Sequence, residues 1–215
     1  MKKTKKICLL IIAVIAMINI SYAQENKTDF REELKIGVKI GVNLSNVYDM
    51  QGEDFVADSK LGFVAGGFIA IPISKFLGIQ PELLFSQKGF KATGRILGSP
   101  YEFTRTTNYI DVPVFFTLKP IESLTIMAGP QYSFLIKQSD AFTSPIVNIL
   151  QEQEFKNDNI RRNTFCFIWG ADVNLNSLVL GGRVAWDLYD NNGDGTSTTP
   201  RYKNVWYQLT LGFRF

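Results

Sequence analysis

From Asn204 to Phe215 the chain sorts its residues into two files. Val205, Tyr207, Leu209, Leu211, Phe213 and Phe215 are all apolar, while Asn204, Trp206, Gln208, Thr210, Gly212 and Arg214 are mostly polar or small. A helix would scatter both files round its circumference, whereas an extended strand places each on one side. The alternation recurs upstream. Ile36, Val38, Ile40, Val42 and Leu44 oppose Lys35, Gly37, Lys39, Gly41 and Asn43. Ile110, Val112, Val114, Phe116 and Leu118 oppose Tyr109, Asp111, Pro113, Phe115 and Thr117. Phe165, Phe167, Trp169 and Ala171 oppose Cys166, Ile168, Gly170 and Asp172, and Leu178 to Leu188 repeats the pattern around Gly181, Arg183, Ala185 and Asp187. Three further runs, at 60–71, 77–88 and 123–136, carry apolar residues on both faces. Eight strands are therefore expected, each near the roughly 9–11 residues that a tilted strand needs to cross a bilayer.

The connectors alternate in length. Stretches 46–59, 89–107, 138–161 and 189–203 are long, while 72–76, 119–122 and 174–177 are short. Short periplasmic turns and long extracellular loops are the rhythm of outer-membrane barrels. The expected fold is all-β: an eight-stranded antiparallel up-and-down transmembrane β-barrel over residues 35–215. Prolines at 81 and 113 fall inside expected strands and remove ladder donors, so local bulges are expected there.

The N-terminus reads as an export signal. Met1-Lys2-Lys3-Thr4-Lys5-Lys6 is basic, 7–18 is apolar, and small residues lead to Ala23. That order is a secretory signal peptide, expected to be cleaved before Gln24 and to leave a short periplasmic segment, 24–34. The precursor is formally +3, but four lysines leave with the signal, so the mature chain is about −1. Nucleic acid is therefore not an expected partner. Cys166 is the one cysteine downstream of Ala23, and the chain has no histidine to serve as its base, so a buried inert thiol is expected.

Alternation alone does not say which face points inward. A soluble lipocalin-like periplasmic barrel, binding an apolar ligand, would bury the apolar face. Yet the opposite face carries Lys39, Glu82, Asp111, Asp172, Arg183, Asp187 and Arg214, too many charges for a small soluble core. Such charges pair readily inside a transmembrane barrel, where they are expected to form a lumenal network. Phe215 ends the chain on the apolar face, and with Tyr207, Leu209, Leu211 and Phe213 it forms the expected barrel-insertion signal.

Several segments resemble the PorT-like outer membrane protein β-barrel family of Bacteroidota. The resemblance lies in Gly37-Val38-Lys39-Ile40-Gly41-Val42-Asn43-Leu44-Ser45, in Gln80 to Gly89, in Tyr109-Ile110-Asp111-Val112-Pro113-Val114, in Ala128-Gly129-Pro130 and in Leu211 to Phe215. It implies the barrel fold and an outer-membrane location, and it brings no catalytic residues with it.

Asp190-Asn191-Asn192-Gly193-Asp194-Gly195 matches the first half of a calcium loop, with Asp190, Asn192 and Asp194 as candidate ligands. The position for a bidentate glutamate is Arg201, and Asn-Gly and Asp-Gly are ordinary turn formers, so a plain hairpin is the preferred reading. Pro145 to Phe155 reads as a short amphipathic helix. Phe76, Tyr132, Trp169, Trp186, Tyr207 and Phe215 are suited to interfacial girdles. No cofactor is expected. The expected role is structural, interactive or accessory to transport. The expected partners are outer-membrane lipid, the barrel-assembly machinery and envelope proteins met through the four long loops. A lipid-modifying enzyme is the remaining alternative, without a histidine base or a Gly-x-Ser-x-Gly elbow.

Overall fold

The computed structural model describes residues 29–48, 56–96, 99–143, 148–153, 161–191 and 202–215. Its strands are β1 (Lys35–Tyr48), β2 (Val56–Pro72), β3 (Leu77–Ile96), β4 (Ser99–Ile121), β5 (Leu124–Thr143), β6 (Asn148–Gln153), β7 (Asn163–Leu175), β8 (Leu178–Asp187) and β9 (Lys203–Arg214). Eight of them pair antiparallel in a ring, β1-β2-β3-β4-β5-β7-β8-β9, and β9 returns to β1. Closure leaves no open edge, as lipid requires, because hydrocarbon cannot hydrogen-bond unpaired backbone.

The outward face is the apolar one. Ile36, Val38, Ile40, Val42 and Leu44 are exposed along β1, with Ile40 at 64%, while Lys39 and Asn43 between them are 2% and 0% exposed. In β7 every second residue from Thr164 to Asn174 is buried. An apolar surface of this extent would aggregate in water and is at home in a bilayer. The soluble lipocalin-like alternative requires the opposite polarity and falls on this observation. No described helix is long and apolar enough to cross a membrane.

Tight turns close one end of the barrel at 73–76, Glu122–Ser123 and Asn176–Ser177. Asn176 takes φ 53°, a left-handed conformation that asparagine tolerates. At the other end the expected boundaries change. β3 and β4 pair as far as Ile96 and Ser99, so most of the 89–107 stretch is ladder rather than loop. Tyr48 and Val56 likewise bring strand into the 46–59 stretch. The expected helix over 145–155 is corrected: Asn148–Gln153 is strand β6, paired with Gln138–Thr143 at the outer end of β5. The reason is local. A two-turn helix is unstable in isolation, whereas the projecting edge of β5 offers six residues a ready ladder.

The prolines also behave differently from expectation. β3 and β4 keep one register from Leu77↔Leu118 to Ile96↔Ser99, straight past Pro81 and Pro113. The irregularities fall elsewhere, between Ser59 and Val64, between Asn108 and Tyr109 and between Leu118 and Ile121. Lys88, Gly89 and Phe90 are all buried in succession. Gly89 has φ +142°, and a Cβ there would lie 2.0 Å from the Arg105 carbonyl oxygen, so only glycine fits. The extra residue itself lies on β2, which takes five steps from Ser59 to Val64 where β3 takes four from Ser86 to Phe90.

A 3-10 turn, Phe30–Glu32, sits below the barrel on the short-turn side. Asp29 caps it, accepting from the Arg31 backbone N, Nε and Nη2 at 3.1, 2.9 and 2.6 Å, and Lys75 approaches the same carboxylate at 3.0 Å. Arg31 in turn donates to the Pro120 carbonyl, and Lys119 donates to the Arg31 carbonyl. The Arg31 guanidinium, with help from Lys75, holds the Asp29 carboxyl well below the usual carboxylate range. A carboxylate whose folded value is depressed stabilises above its unfolded value and loses that contribution as pH falls through the folded one. The amide protection of this turn is therefore expected to stay constant from neutral pH to about pH 5, with release only in strong acid. Hydrogen exchange followed by mass spectrometry checks this; protection that disappears near pH 5 contradicts it.

Candidate functional site

The lumen is filled by side chains in stacked layers. Near the short-turn end, Glu82 of β3 accepts from Lys39 of β1 at 2.8 Å and from Gln80 at 2.8 Å. Arg183 of β8 clamps the same carboxylate with two bonds of 2.7 and 3.0 Å and reaches Asp172 of β7 at 3.4 Å. The two cations lie against rings, Lys39 4.6 Å from the centroid of Phe68 and Arg183 4.7 Å from that of Phe115. This layer holds two positive and two negative side chains from four strands. Its pairing offsets the cost of burying charge, which unpaired ions would not recover.

Above it, Gln208 donates to Asn43 and Asn43 donates to Ser86, a neutral bridge across the barrel. Next comes Lys88, 2.9 Å from Asp111 and 3.7 Å above the ring of Trp206. Asp187 stands apart from any cation at ion-pair distance among the described residues: Cys166 donates to one oxygen at 3.0 Å and the Asn204 amide to the other. At the outer mouth Arg105 grips Asp140 with two bonds of 2.8 and 2.7 Å and donates to the Tyr202 hydroxyl at 2.9 Å. Tyr202, Phe90, Val47 and Ala92 pack there as a small apolar lid.

The structure thus brings Lys39, Glu82, Asp172 and Arg183 together. It places Asp111 in a different layer with Lys88, and Asp187 with a thiol and an amide. Arg214 lies outside the network, at the end of β9, where it donates to the Asn176 carbonyl and to Asn174. Lys88, Arg105, Asp140 and Trp206 are network members that the sequence reading did not single out. Arg105 and Asp140 lay in stretches read as loops, although the alternation of Arg105, Thr107 and Tyr109 was there to be followed. Of the calcium candidates, Asp190 lies 4.0 Å from Lys203, while Asn192 and Asp194 lie outside the described residues. Among the described residues no group of three acids, cysteines or histidines could hold a metal. Tyr132, Trp169, Tyr207 and Phe213 face outward, as does Phe76 in the β2–β3 turn. The main-chain N of Phe215 donates to the Ile36 carbonyl, which ties the last residue to the first strand.

A closed ring of eight strands, apolar outside and ion-paired inside, defines a small integral outer-membrane barrel protein. The chain belongs to the outer membrane protein beta-barrel domain family, whose model matches residues 22–192. No curated protein matches the sequence. Among solved structures, Ail, the attachment invasion locus protein of Yersinia pestis, is similar with a TM-score of 0.50 and 14% identity, over 85% of this chain and 99% of that one. Neisserial surface protein A follows with a TM-score of 0.47 and 8% identity over 84% and 97% of the two chains. OprG of Pseudomonas aeruginosa gives 0.40 and 14% over 86% and 97%. At these identities the likeness to Ail speaks for the fold alone.

Proposed function

We propose that this is a non-enzymatic outer-membrane protein that works through the part rising above its extracellular rim, not through its lumen. The observation that carries this is the layer of Lys39, Glu82, Asp172 and Arg183, which closes the cross-section with paired charges. A narrow eight-stranded barrel so filled has no room for a diffusing solute. The strands β3, β4 and β5 meanwhile project well past the apolar band and carry β6 at their side. Projecting elements on a rigid scaffold are where recognition is usually built. Two measurements test the reading. In planar bilayers the purified barrel should give no stepwise conductance. Deleting the hairpin tip 91–104 should leave folding intact and abolish surface interactions of cells that display the protein. Regular conductance steps that change with Lys39→Met would sink it. For the enzyme alternative, unaltered envelope lipids in Asp187→Asn and Glu82→Gln strains speak against catalysis, and an altered profile would revive it.

The finer placement as a PorT-like protein of Bacteroidota is supported by the segments around Gly37 to Ser45 and Tyr109 to Val114 and is part of the same proposal. So is export through the signal at 1–23, for which the mature N-terminus should read Gln24 on sequencing. The C-terminal file ending in Phe215 is proposed as the insertion signal. Phe215→Ser should lower the yield of heat-shifted, membrane-inserted barrel several-fold without changing its amount in the periplasm before insertion; a wild-type yield would remove that role.

A further inference from the structure

The segment before β1 crosses the short-turn mouth of the barrel. β1 begins at Lys35, and the β4–β5 turn stands half-way round the ring from it. Residues 29–34 can reach up to about 20 Å when extended, and their contacts lie across the mouth. Arg31 donates to the Pro120 carbonyl at 3.2 Å, and Lys119 donates to the Arg31 carbonyl at 3.3 Å. The Arg31 guanidinium also lies 5.2 Å from the centroid of Phe76, and Asp29 meets Lys75 at 3.0 Å. Lys75 and Phe76 belong to the β2–β3 turn, Lys119 and Pro120 to the entry of the β4–β5 turn. Two turns therefore hold a segment that is rooted in a different strand.

Behind the segment lies a cavity of about 20 Å³, lined by Arg31 and by Gln80, Lys119, Thr125, Asp172 and Arg214 from five strands of the ring. Its inner wall is the ion layer, for Gln80 donates to Glu82 and Arg183 reaches Asp172. Such a volume holds little more than one water, so the closed mouth admits no solute. The hold on the far turns is nevertheless light. The Lys75 side chain is 46% exposed, and Lys119 has no acid at ion-pair distance among the described residues. Exposed ion pairs and charged bonds of this kind gain little over water. Segments held so lightly belong to the low-stability end of a fold. The ring itself does not depend on them: β1 pairs with β2 from Lys35 and with β9 from Gly37.

We propose that residues 29–34 are a strap that opens and closes the short-turn mouth of the barrel. Closed, the strap keeps bulk water from the layer of Lys39, Glu82, Asp172 and Arg183. Open, it leaves the β2–β3 and β4–β5 turns, returns Arg31 and Lys119 to water, and exposes the cavity as far as the ion layer. The strands stay paired in both states. The device acts at the end of the barrel opposite the projecting rim and is independent of what that rim binds.

The test uses the full-length folded barrel in phosphatidylcholine nanodiscs. Cys8→Ser and Cys166→Ser remove the native thiols, and Val179→Cys places one thiol on the cavity wall. Ala70→Cys, on the same wall, serves if Val179→Cys gives no heat-shifted band. The rate of reaction with a charged, water-borne thiosulfonate reagent reads how often the mouth is open. Reaction should be slow in this parent. Adding Arg31→Gln and Lys119→Gln should speed it at least about tenfold, the worth of one lost charged hydrogen bond. Lys91→Gln at the outer rim should leave the rate unchanged. Equal rates in the parent and the latch variant overturn the proposal: if both are fast the strap does not close the mouth, and if both are slow something else does. An acceleration by Lys91→Gln also overturns it, because the reagent then enters from the other end. If the latch variant gives no heat-shifted band, Arg31→Gln alone carries the same test. Loss of the band there too overturns the proposal, because a strap that opens must be dispensable to the barrel.

Discussion

Replacing Glu82 by Gln lowers the unfolding free energy of the barrel by about 3–5 kcal/mol, the cost of stranding buried ions once a partner is removed. Glu82 is 4% exposed and is the shared acceptor of Lys39, Gln80 and Arg183, so no single neighbour can replace it. After the change two cations face Asp172 alone. The double variant Glu82→Gln with Lys39→Met restores the charge balance and should recover a large part of the loss, because Arg183 and Asp172 remain a pair. Guanidinium unfolding in detergent micelles, followed by the heat-shifted band, reads both. A Glu82→Gln barrel as stable as the parent would mean that this layer is hydrated and that the lumen is not closed by it.

The second large effect lies one layer up. Trp206 is fully buried and its ring carries Lys88. Truncation to Ala opens a cavity and removes that support, for an expected loss of about 3–5 kcal/mol. Trp206→Phe should cost far less, since the indole N–H has no hydrogen-bond partner among the described residues and little is lost with it. The same unfolding assay separates the two. If Phe and Ala are equally damaging, the N–H must have a partner, such as an ordered water, and the ring is not what matters.

How much of this was legible in advance follows the range of each interaction. The alternation of Ile36 to Leu44 and of Val205 to Phe215 is a nearest-neighbour property, so it reads directly as strand. The sense of the faces came from Lys39, Asp111, Asp172 and Arg183, whose charges suit a narrow lumen lined by paired ions. The upper strands were hidden because Thr104 and Thr106, on the outward side above the membrane, are as polar as the inward file. Once no hydrocarbon demands an apolar face, the period of two fades while the ladder continues. Partner choice was hidden for another reason. Lys88 meets Asp111 and Arg183 meets Glu82 only because of strand register, which a single sequence does not display. Pro81 and Pro113 misled because a missing donor does not by itself shift a register, and the extra residue lies in β2 between Ser59 and Val64.

The seam between β1 and β9 joins the first described strand to the last. Its twelve residues on β9 also complete the ladder to β8. The pairings from β1 through β8 can form without β9, but the β1–β9 seam spans nearly the whole domain and has the highest contact order in the fold. A chain that lacks its last strand would hold two unpaired edges in hydrocarbon, which lipid does not tolerate. Insertion is therefore all-or-none with respect to β9. Deletion of Lys203–Arg214 should therefore behave as a complete loss of the inserted barrel.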